Sequence, residues 1–224
     1  MGTRVRSVAV LLMLAGLTGS GLQASGGSSV KEAAVPMTAE EQARQRYNQG
    51  LSFRDEAWRL QKKLAKPDTP EAKRAKLEKK LGRAYDLAFK EFAATISLSP
   101  RFHQAYGSLG YVYRQLGDYP QALEAYDMAL EIDPDYSEAI EYRGEAYLGL
   151  NRINDAQNAY RVLLEQDSEL AAELLGAMRA WLEQRRDEPA GVEVALLDGF
   201  EVWVEDRADA AGDEQSSLRK SRSW

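Results

Sequence analysis

The chain has 224 residues, 44% of them apolar and 29% charged, with a formal net charge of −6 and a single histidine. The absence of cysteine excludes disulfides and thiolate metal sites, and the acidic balance argues against general nucleic-acid binding. Ala, Leu, Glu and Arg are prominent, as in helical proteins.

In chain order, Arg4 and Arg6 precede an apolar run from Val8 to Leu17, and small and polar residues follow to Ala24. A basic start, a short apolar core and a small-residue end is the order of an export signal. The run of about ten residues is too short to span a bilayer as a helix, which needs about 20. Residues 1–24 are therefore expected to be a signal peptide, and residues 25–37 (SGGSSVKEAAVPM) a flexible linker. The mature chain is expected to be exported, and to be periplasmic if the source is a Gram-negative bacterium.

Thr38 followed by Glu41 is a capping box, and helix-forming residues continue from there to Lys66 with Gly50 as the one interruption. Pro67-Asp68-Thr69-Pro70 predicts a tight reversal, with Thr69 as cap and Pro70 as the first residue of a helix reaching about Leu98. Each helix of this hairpin, residues 38–102, is about 40 Å long at 1.5 Å per residue, so its outer half is expected to project as an arm.

Two rows of residues then repeat. Tyr106, Leu109, Gly110, Tyr113, Ala122, Tyr126 and Pro134 each have a counterpart 34 residues later: Ile140, Arg143, Gly144, Tyr147, Ala156, Tyr160 and Ser168. Tyr106, Leu109, Gly110 and Tyr113 share one face of a helix, and Ala122, Ala125, Tyr126, Ala129 and Leu130 share one face of the next. Gly117 suits a left-handed helix end, Asp118 a cap and Pro120 a first turn, and Asn151 takes the place of Gly117 in the second copy. The period and the signature resemble the tetratricopeptide repeat, a helix–turn–helix unit that stacks on its own copies. The resemblance implies an all-α fold, a short solenoid of antiparallel helix pairs. Complete repeats are expected at 103–136 and 137–170. The hairpin before them reads as an elongated, divergent first repeat, with Tyr47, Gly50 and Leu51 in the places of the aromatic-x2-Leu-Gly signature and Arg54 where a tyrosine is expected. Residues 171–210 are expected to form two C-terminal capping helices, and residues 211–224 a disordered tail.

In that family the first helices of successive repeats line a concave groove for a partner segment. Carried over by position, the resemblance implies a groove of Asn48, Ser52, Gln104, Ser108, Tyr111, Arg114, Glu138, Glu141, Tyr142 and Glu145. Some members clamp a C-terminal carboxylate with Lys and Asn; here the matching third-repeat positions are Glu141 and Glu145, which argues against such a clamp. Glu138, Glu141 and Glu145 lie three to four residues apart, so their carboxylates share a face, and a partner segment carrying Lys or Arg is expected there.

The second charged feature runs from Arg59 to Arg83. Arg59, Lys62, Lys63, Lys66, Lys73, Arg74, Lys76, Lys79, Lys80 and Arg83 are opposed only by Asp68, Glu71 and Glu78. No nucleophile motif, metal-ligand spacing or phosphate loop accompanies either feature, so neither an enzyme nor a cofactor is expected. His103 reads as a helix-start histidine. The sequence thus points to an exported protein-interaction adaptor that binds a protein or peptide and no nucleic acid. The alternative is a protein acting through the basic arm on an anionic ligand or membrane surface. The mature chain should begin between Leu22 and Gly26 and be absent from the cytosol; an intact mass that includes Met1 would refute the export signal.

Overall fold

A computed structural model of the chain describes the backbone of residues 36–221 and the side chains to residue 209. The expected signal peptide and all but the last two residues of the linker lie outside the described residues. Eight helices follow one another among the described residues: α1 (Ala39–Leu64), α2 (Glu71–Leu98), α3 (His103–Gln115), α4 (Tyr119–Ile132), α5 (Ser137–Gly149), α6 (Ile153–Gln166), α7 (Ser168–Asp187) and α8 (Val194–Ser221). No strand occurs among the described residues, and none of their helices is long and apolar enough to cross a membrane.

Each helix packs on its neighbours in sequence, and α1, α3, α5 and α7 also touch in turn. That pattern makes two layers: an inner row of odd-numbered helices and an outer row of even-numbered ones. Three apolar clusters fill the space between them, one under α1–α3 around Phe92, one under α3–α5 around Tyr126, and one under α5–α8 around Leu163, Leu174 and Phe200.

The boundaries follow from local chemistry. Thr38 accepts from Glu41 N at 3.2 Å and Glu41 accepts from Thr38 N at 2.8 Å, closing the capping box. Gly117 and Asn151 are left-handed, with φ of 78° and 58°, and Asp118 accepts from Gln121 N at the start of α4. Thr69 departs from expectation. Pro70, not Thr69, occupies the cap of α2, and the Thr69 hydroxyl donates back to Lys63 O at 3.1 Å, tying the turn to α1. Asp167 accepts from Glu169 N and Leu170 N, and this cap starts α7 at Ser168, ahead of the expected Ala171. The last helix runs to Ser221, through residues expected to be a disordered tail. Beyond Ala208 the sequence of that segment includes Ala, Gln, Glu, Leu, Arg and Lys, good helix formers.

The first repeat is in a different register from the expected one. A Cβ on Gly50 would lie 2.5 Å from Phe92, and one on Gly110 2.5 Å from Tyr126, the residue 34 positions after Phe92. Gly50 therefore occupies the glycine position of the signature and not the leucine position, which puts Phe53, not Arg54, in the place of Tyr113. The hairpin also overhangs less than its length implies. Tyr47 lies 4.8 Å from Phe102 just before α3, and Gln61 donates to Gln115 at its end at 2.7 Å. Only the part of α1 beyond Gln61, with the turn and the start of α2, reaches past α3.

Gly144 is the tightest test of this packing. A Cβ there would come 2.7 Å from Leu174 and 3.3 Å from Ala159, so α6 and α7 both close on it. Gly144→Leu should cost about 1–3 kcal/mol in denaturant unfolding, as overpacking does. Gly176→Ala, where nothing lies within 4 Å, should be neutral or stabilise by up to about 1 kcal/mol. Equal stability of Gly144→Leu and the wild type would refute the stacking described.

Candidate functional site: the inner helix face

The inner face carries two concavities. The first, about 460 Å³, lies between α1, α3 and α5 and is lined by Arg54, Asp55, Trp58, Arg59, Tyr111 and Tyr142. The second, about 560 Å³, lies between α3, α5 and α7, with Arg114, Glu145, Leu148, Ala177, Trp181 and Arg185 in its wall. Trp58 is 51% exposed, and Lys62 Nζ stands 3.4 Å from the centre of its ring.

Arg114 divides the two. It pairs with Glu145, and its guanidinium lies 5.5 Å from the Tyr111 ring and 5.2 Å from the Tyr142 ring. Those rings are themselves 5.7 Å apart. Burial works against the arginine's charge, but Glu145, together with Tyr126 and Glu141, more than offsets this and holds the guanidinium cationic. Burial likewise raises the Tyr111 and Tyr142 hydroxyls above the ordinary tyrosine range, so both remain neutral donors.

The expected groove residues separate into three groups. Tyr111, Tyr142, Arg114 and Glu145 are half-buried and line the concavities. Asn48, Ser52 and Glu138 are exposed and Gln104 is half-buried, but none of them lines either concavity. Ser52 donates to Asn48 O within α1 at 3.1 Å. Ser108 and Glu141 are corrections. Ser108 is 5% exposed and sits 3.4 Å from the Tyr47 hydroxyl; Glu141 is 3% exposed. Both lie between helices and are not open to a partner. The signal for Glu141 was present in the repeat: its counterpart 34 residues earlier is Gly107, a position where the first copy leaves no room for a side chain. Sequence reasoning missed Trp58, Arg59, Ala177, Trp181 and Arg185, because α1 and α7 depart from the repeat register.

His103 stands at the start of α3, 3.3 Å from Asp133 and 4.9 Å from the Tyr136 ring. No group of side chains suited to a metal ion occurs among the described residues.

Glu141 also changes the electrostatics expected of α5. Burial, a hydrogen bond with the Glu145 carboxylate and the charge of Glu145 push its pKa up to about 9, with Glu173 adding to the rise and Arg114 opposing it. At neutral pH Glu141 is thus protonated beside Glu145, which in turn pairs with Arg114. The face expected to carry three carboxylate charges carries Glu138, the arginine-paired Glu145 and a neutral acid. Because the folded state binds this proton more tightly than the unfolded chain, its contribution is full below about pH 4.5 and is lost as pH rises towards 9. Glu141→Gln, which keeps a neutral donor, should match the wild type near pH 4.5 and melt higher at pH 8, by at least the 2–4 °C that about 1 kcal/mol shifts a chain of this size. Identical curves at both pH values would show that Glu141 is not held neutral by the fold.

Residues 103–136 match the tetratricopeptide repeat family. Over 100 residues, 45% of the chain, the sequence is 30% identical to Hsp70-Hsp90 organizing protein 1 of Glycine max. Over 96 residues, 39% of the chain, it is 34% identical to Protein PHOX1 of Arabidopsis thaliana. The matches span only 17% and 12% of those two relatives. Among solved structures, the Arabidopsis OM64 TPR domain aligns with 66% of this chain and 99% of its own, with a TM-score of 0.49 and 16% identity. The second TPR of Spaghetti (RPAP3), bound to an HSP90 peptide, aligns with 57% of this chain and 94% of its own, with a TM-score of 0.44 and 18% identity. Residues 103–136 thus match the tetratricopeptide repeat, and helix pairs are stacked on both sides of them.

Proposed function

We propose that the chain is a protein-interaction adaptor whose inner face, formed by α1, α3, α5 and α7, holds a segment of a partner protein without turnover or cofactor. The observation that carries this reading is the concavity walled by Trp58, Tyr111 and Tyr142. Rigid aromatic side chains with one polar end supply contact area at little entropic cost, and arginines beside them fix orientation. Export of the mature chain is part of the proposal and rests on residues 1–24 of the sequence.

The chemistry of the face narrows the segment it takes. Asp55 is bonded to Arg54 at 3.2 Å, Glu145 to Arg114, and Glu141 is buried. Few free acids remain to select a run of basic residues, so an apolar or aromatic side chain entering the concavity is the main anchor. A basic residue in the segment contributes orientation through Glu138. The C-terminal clamp of some family members does not transfer, since Glu141 and Glu145 stand where cations and amides would be needed.

Peptides selected from a randomised library on the wild-type chain should lose about tenfold in affinity, about 1.4 kcal/mol, for Trp58→Ala and for Arg59→Ala. Both side chains are exposed, so the fold should be unaffected. Glu124→Lys, on the exposed side of α4 in the outer layer, should leave affinity unchanged. Selected peptides that bind all three variants like the wild type would refute the inner-face reading.

A further inference from the structure

The basic arm has a complement at the other end of the same chain. Between Arg59 and Arg83 ten basic residues outweigh three acidic ones, a net charge of +7. Lys62, Lys63, Lys66, Lys73, Lys76, Lys79 and Lys80 are exposed and Arg74 is half-buried. Among the described residues none of the ten forms an ion pair. From Glu193 to Ser221, just before α8 and along it, the sequence has eight acidic residues against Arg207, Arg219 and Lys220, a net charge of −5. Arg179 pairs with Glu205, and Arg186 with Asp198 and Glu201. Glu193, Asp206 and Asp209 are exposed and unpaired among the described residues.

Each end also exposes apolar surface beside its charges: Trp58, 51% exposed, next to the arm, and Val194 and Val202, 63% and 62% exposed, on α8. α1 and α2 pack with α3, whereas α8 packs with α7, so the two surfaces belong to opposite ends of the stack. A second copy can bring them together. We infer that the basic arm of one copy docks on the acidic α8 of a second copy, head to tail. The contact joins two different patches, so it is heterologous and each added copy leaves a free arm and a free α8. The opposite charges set orientation and on-rate, while exposed ion pairs are individually weak and screened over about 8 Å at physiological salt. The association is therefore weak and strongly salt-dependent. Trp58 and Arg59 are shared with the first concavity, whereas Lys63, Lys73 and Lys76 line neither concavity, so changes at those three test the association apart from partner binding.

Sedimentation velocity on the full chain tests this. At about 0.05 M salt the mass should rise with concentration above that of one chain, and at about 0.5 M salt it should return to one chain. An arm variant (Lys63→Glu, Lys73→Glu, Lys76→Glu) and an α8 variant (Glu193→Lys, Asp206→Lys, Asp209→Lys) should each be monomeric alone, with association weakened at least about tenfold. Mixed together they should associate again, since the arm of one and the α8 of the other still match. Lys63→Gln, Lys73→Gln and Lys76→Gln, which removes charge without reversing it, should weaken association by a smaller step. A chain that stays monomeric at low salt overturns the inference, as does association that survives either reversal or fails to return on mixing. A monomer that instead sediments with phosphatidylglycerol vesicles through the arm would assign the arm to an anionic membrane and also overturn it.

Discussion

A large side chain lying on a glycine is the contact on which the stacked repeats depend. Phe92 covers Gly50, Tyr126 covers Gly110 and Leu174 covers Gly144, and in each case a Cβ on the glycine would fall within 2.7 Å of the covering group. Without these contacts the two layers could not approach closely enough to bury their apolar faces, and no single helix pair buries enough by itself. In the third copy the pattern changes hands. Tyr160, the counterpart of Tyr126, turns its edge to Trp203 at 5.3 Å, and Leu174 from α7 takes the space over Gly144. The repeat fades there because α7 and α8 close the stack instead of extending it.

The inner face is organised around Arg114. Its charge is kept in a largely buried position by Glu145, and its guanidinium lies close to the rings of both Tyr111 and Tyr142. Glu141 fits beside this pair because burial and the Glu145 charge keep it protonated. A face that looks acidic residue by residue is close to neutral once protons and partners are assigned. Recognition there consequently falls to the aromatic walls and to arginines, not to a field of carboxylates.

The charge of the chain is segregated by position in the stack. The arm at one end and α8 at the other carry charges of opposite sign, while the repeats between them hold their arginines in local pairs, such as Arg143 with Asp127 at 2.8 Å and Arg152 with Asp155 at 2.8 Å. A solenoid exposes both of its ends to solvent, so polar terminal helices are required in any case. Opposite signs at the two ends go beyond that requirement, since either sign alone would keep an end soluble.

By itself the sequence determined the all-α class, the period, the capping box at Thr38 and the helix break at Gly117, because these depend on residues a few positions apart. The glycine register of the first hairpin was decided only by packing: Tyr47-x2-Gly50-Leu51 offers two alignments, and the Phe92 ring selects one. Glu141 and Ser108 were read as open because helical spacing tells which residues share a face, but not how far the next helix covers it. Trp58 and Arg185 reached the inner face through α1 and α7, whose placement beside the repeats no local pattern encodes. Protonation of Glu141 has the same origin. It follows from the burial and the charges that α3, α5 and α7 bring to one point, and those meet only once the helices are stacked.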